Sequence, residues 1–120
     1  MEEVQGRVTV APPVLTTIVR QTTLEETGVS HLAPLPAKMR GLRAGAALEE
    51  GILVGVSEQG VYVEVHVVAE PGIHVLKLGT AVQSAVTRAV EEMVGMRVVA
   101  VDVHIDDVAR PVPQPIPLAE

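Results

Sequence analysis

Residues 60–108 read GVYVEVHVVAEPGIHVLKLGTAVQSAVTRAVEEMVGMRVVAVDVHIDDV, and their order decides the fold. Val61, Val63, Val65 and Val67 alternate with Tyr62, Glu64, His66 and Val68, the two-residue period of a strand with one apolar face. Glu70-Pro71-Gly72 ends that strand, because proline cannot donate to the ladder and glycine frees the turn. From about His74 to Val94 the apolar residues Val75, Leu78, Val82, Ala85, Val86, Ala89 and Met93 form a helical stripe, and Gly95 suits a C-cap. Arg97 to Asp106 alternates again, with Val99, Val101, Val103 and Ile105 on one side and Val98, Ala100, Asp102 and His104 on the other. Strand, crossover helix and strand predict two parallel strands in one sheet.

Working upstream, Ile52–Ser57 is a second strand, joined to Val61–Ala69 by Glu58-Gln59-Gly60 as a hairpin. Residues 30–51 hold Pro34, Pro36, Gly41 and Gly45 and read as an irregular connection, with a helical turn near Ala46–Glu49. Pro12-Pro13 opens a first helix that runs to about Thr27, with Gly28 as its stop. Gly6–Val10, GRVTV, reads as a short strand or extended arm. Downstream, RPVPQPIPLAE carries proline at every second position from 111 to 117, which disfavours helix and interior strand and predicts an extended tail. The expectation is one α+β domain over residues 1–109, with a tail over 110–120. Its small mixed sheet has two main helices packed on one face, in the order strand, helix, hairpin, helix, strand.

Composition excludes several functions. The 120 residues carry a formal net charge of −6, which repels a phosphate backbone. Tyr62 is the only aromatic residue, so the rings on which single-stranded bases stack are missing. No cysteine is present, which removes disulfides, thiol nucleophiles and thiolate zinc sites. No apolar run approaches the roughly 18 residues of a membrane span. The start MEEV lacks a basic region and an apolar core, so no signal peptide is expected and a cytoplasmic location is.

Glu64 and His66 sit side by side on one face of their strand, and Asp102 and His104 hold the same face of the last one. Such a set suits a metal site, a proton relay or the wet side of a sheet. If the hairpin's first strand lies between the two, they stand roughly 9.5 Å apart, too far to share a ligand set. The expectation is therefore no metal, no cofactor and no catalytic set. Leu53, Tyr62, Glu64, His66, Val68, Asp102 and His104 then form a partner-facing or self-association surface, joined by Val98 and Ala100. Lys38, Arg40 and Arg43 are a candidate contact for an anionic headgroup or phosphate.

Two stretches, GRVTVAPPVLTTIVRQTTLEETGVS (residues 6–30) and residues 60–108, resemble the bacterial alkaline shock protein family, which includes the general stress proteins of the cell envelope response. The ordering of strand, helix and closing VAVDVHI strand carries most of the resemblance. It implies a small α+β domain without catalytic residues, linked to envelope stress; the open sheet face adds the expectation of a non-enzymatic scaffold acting by self-association and partner binding. The resemblance also implies a membrane-anchored protein partner that brings a cytoplasmic protein to the inner face of the membrane. The alternative is a regulator of lipid metabolism that binds an enzyme or an anionic lipid through Lys38, Arg40 and Arg43.

Overall fold

A computed structural model describes residues 4–36 and 47–111. In chain order these form α1 (Pro12–Glu25), β1 (Val29–Leu32), β2 (Ala47–Glu49), β3 (Ile52–Ser57), β4 (Gly60–Ala69), α2 (Val75–Val94) and β5 (Val98–Val108). The class is α+β, as expected. Lys38, Arg40 and Arg43 lie outside the described residues, as does the tail from residue 112.

β4 is the centre of the sheet. β5 runs parallel along one edge, pairing Val63 with Val101 and His66 with His104. Two antiparallel strands share the other edge end to end: β3 pairs with residues 60–65 and β1 with residues 67–69. β2 closes the outer side of β3. His66 occupies the gap between β3 and β1, where its N–H donates to Gly51 O and its carbonyl accepts from Ala33 N, both at 2.8 Å. Gly51 has φ +74°, and a Cβ there would stand 2.8 Å from Ala33 O and from Leu32 Cβ. Only glycine fits so close an approach.

The valine face is the core, as the alternation requires. Val61, Val63, Val65 and Val67 are fully buried against Leu15 and Val19 of α1 and Leu78, Val82, Val86 and Val90 of α2. Pro12 begins α1 where a missing N–H costs nothing. His74 Nδ1 caps α2 by accepting from Lys77 N at 3.2 Å, and Gly95 ends it in the left-handed region at φ +74°.

Several expectations are corrected. Of the two readings of Gly6–Val10, the strand does not form, and Val8 is 93% exposed, which leaves the arm. Residues 30–51 are not irregular throughout: β1 pairs with β4, and Ala47–Glu49 is a strand rather than a helical turn. These short strands have little periodicity of their own and exist because β4 and β3 offer unpaired edges. The hairpin does not separate β4 from β5. Val98 packs against the core instead of facing outward, because the register shifts between Val61 and Tyr62. At the ends of the α2 stripe, Val75 and Met93 are exposed.

Candidate functional site

The face of β4 and β5 opposite the helices carries a polar cluster. Parity along β4 projects Tyr62, Glu64 and His66 there, and parity along β5 projects Asp102, His104 and Asp106. Direct parallel pairing aligns Glu64 with Asp102 and His66 with His104, so six polar side chains meet on two adjacent strands.

His66 is the hub. Its Nε2 lies 2.8 Å from Glu64 Oε2 and its Nδ1 lies 2.8 Å from Asp106 Oδ2. A neutral imidazole carries one N–H, so it can donate to only one of these two carboxylates, and both together favour the doubly protonated ring. Burial by itself pushes the His66 pKa down, but the hydrogen bonds to Glu64 and Asp106 outweigh it and the net shift is upward. The His104 ring stacks on His66 with centroids 4.4 Å apart and planes 6° from parallel, and His104 Nε2 stands 3.9 Å from Glu64 Oε2. Tyr62 Oη lies 3.0 Å from Glu64 Oε1 and 2.8 Å from Asp102 Oδ2. Burial, then the hydrogen bonds to Asp102 and Glu64, raise the Tyr62 pKa well above the usual phenol value.

The anticipated surface divides in two. Leu53, Glu64, His66 and Val68 are buried, each less than a tenth exposed, so this side of the sheet is not open across its inner strands. Leu53 and Val68, together with Ala33 and Leu35, are buried outside the main core cluster. Asp102 and His104 are exposed, and Tyr62 and Ala100 are half-buried. Asp106 was missed, although alternation signalled it: two residues beyond His104, it continues the face that holds Asp102.

Chemically the cluster can hold protons or ligate a cation. Ligand atoms of Glu64, His66 and His104 all lie within 4.8 Å of one another. Among the described residues, no helix is long and apolar enough to cross a membrane.

A family model for alkaline shock proteins, described as having a "cell envelope-related function", matches residues 1–110. No curated protein and no solved structure matches the chain. With the match spanning nearly all of the sequence, and the strand–helix–strand unit folded as the resemblance implies, the chain belongs to this alkaline shock protein family, whose role is cell envelope-related.

Proposed function

We propose that this protein is a non-enzymatic scaffold of the envelope stress response that associates with itself and with a membrane-anchored partner at the inner face of the membrane. The observation that carries the self-association is an apolar groove along the flank where α2 meets β5. Val75, Leu76, Gly79, Val103 and Ile105 line it. Leu76 is 76% exposed, an unusual position for leucine next to a concave apolar surface. Single exposed apolar residues are ordinary; an exposed leucine that forms part of a groove's own lining fits a two-fold contact in which each copy's Leu76 packs into the other's groove.

Edge-to-edge pairing of β5 strands is the weaker arrangement. Gln83 Nε2 donates to Val101 O at 3.1 Å, and Val98 N donates to Glu91 Oε2 at 3.4 Å, so α2 dresses part of that edge. Asp102, Asp106 and Asp107 are exposed along the strand and place like charges between two copies.

Sedimentation velocity tests the reading. The wild-type chain is expected to associate at micromolar concentration, and Leu76→Glu to sediment as a monomer with unchanged helical circular dichroism. A wild-type chain that stays monomeric at high concentration removes the self-association.

A further inference from the structure

We propose that Glu64, His66 and His104 form a binding site for a divalent cation of the zinc class. The site is independent of the α2–β5 groove and lies on the opposite side of the sheet. The donor set of two imidazoles and one carboxylate suits zinc-like ions, which take nitrogen and oxygen ligands in tetrahedral geometry. Bonds of about 2.0–2.1 Å in a tetrahedron place ligand atoms about 3.3 Å apart. The observed separations straddle that value: Glu64 Oε2 is 2.8 Å from His66 Nε2 and 3.9 Å from His104 Nε2. All three ligand atoms lie within 4.8 Å of one another, and turning the exposed His104 ring out of its stack on His66 lets both imidazoles point at one ion. Three protein ligands leave a fourth position for water, on the side where the His104 side chain is 47% exposed.

The surrounding bonds favour this use of the cluster. A ligating histidine ordinarily donates its second N–H to a carboxylate, which fixes the tautomer and strengthens the ligand. His66 Nδ1 faces Asp106 Oδ2 at 2.8 Å, which directs Nε2 toward the cradle. Glu64 has one oxygen in the cradle and the other at 3.0 Å from Tyr62 Oη, so its carboxylate is oriented too. Ligation requires Nε2 of both imidazoles to be free of protons, so binding is expected to release protons to solvent.

The test uses the full-length chain, stripped with chelator and titrated with zinc or cobalt(II) at neutral pH. The expected result is one saturable equivalent per chain, with intense visible cobalt bands of a tetrahedral centre and proton release on binding. The chain has four histidines, which makes the assignment clean. His104→Ala, at an exposed side chain and so compatible with folding, is expected to abolish the cobalt bands. Asp106→Asn is expected to weaken affinity about 10–100-fold, the usual loss on removing a carboxylate behind a ligating histidine. The double variant His31→Ala/His74→Ala is expected to bind as wild type. Failure of the folded chain to take up one equivalent overturns the proposal. So does binding that survives His104→Ala, or binding lost in the His31→Ala/His74→Ala chain.

Discussion

Tyr62 carries one hydroxyl proton and faces two carboxylates. Removing the hydroxyl leaves the buried Glu64 short of a donor, so Tyr62→Phe is expected to lower stability by about 1 kcal/mol; urea unfolding of the two proteins would show it. His66 sets a pH dependence by the same logic. Its folded pKa is raised, so the stability it contributes is fully present below the unfolded imidazole value of about 6.5. That stability is lost as pH rises through the higher folded value. The groups facing it are Glu64 on its own strand and Asp106 and the stacked His104 on β5, with Tyr62 and Asp102 next to them. In chelator-treated protein, denaturant titrations are expected to show stability falling as pH increases from about 6.5, and His66→Gln should flatten that slope. The residue types of this cluster were legible in the sequence, apart from Asp106. Their contacts were not, because side chains 40 residues apart meet only if β5 lies directly beside β4.

At the scale of elements, two glycines make opposite predictions. Gly79 lies inside α2, and an added Cβ would meet Ile105 Cδ1 at 3.7 Å, an ordinary contact. Gly79→Ala should therefore stabilise the chain by about 0.5–1 kcal/mol through helix propensity. Because the new methyl sits on the floor of the α2–β5 groove, the same variant should also associate less, which sedimentation at matched concentrations would reveal. Gly51 combines φ +74° with a Cβ position 2.8 Å from Ala33 O and Leu32 Cβ. Gly51→Ala should cost at least about 2 kcal/mol, since left-handed backbone and steric overlap add; its thermal melting point is expected to fall several degrees. Both main helices and the hairpin were visible from spacing because their apolar faces repeat over many residues. β1 and β2 span only four and three residues, too few for a period to show, and they take strand form from the edges they complete.

For the whole molecule, self-association has a thermodynamic signature. Binding between folded copies stabilises them by mass action, so the melting temperature of the wild type should rise with protein concentration while that of Leu76→Glu stays constant. Calorimetry across a hundredfold range of concentration would separate the two. The expectation that the chain binds no nucleic acid rests on sequence properties alone, its acidic balance and its lack of stacking aromatics. The sequence by itself determined the α+β class, the valine face and the helices that cover it, because these follow from local periodicity and from the need to bury apolar surface. Only the tertiary structure decided that β5 lies beside β4 and not beyond the hairpin. Strand order depends on which edges remain free once the chain has packed, and no local pattern encodes it. That one choice brings Glu64, His66, His104 and Asp106 together, turning a row of scattered polar residues into a site.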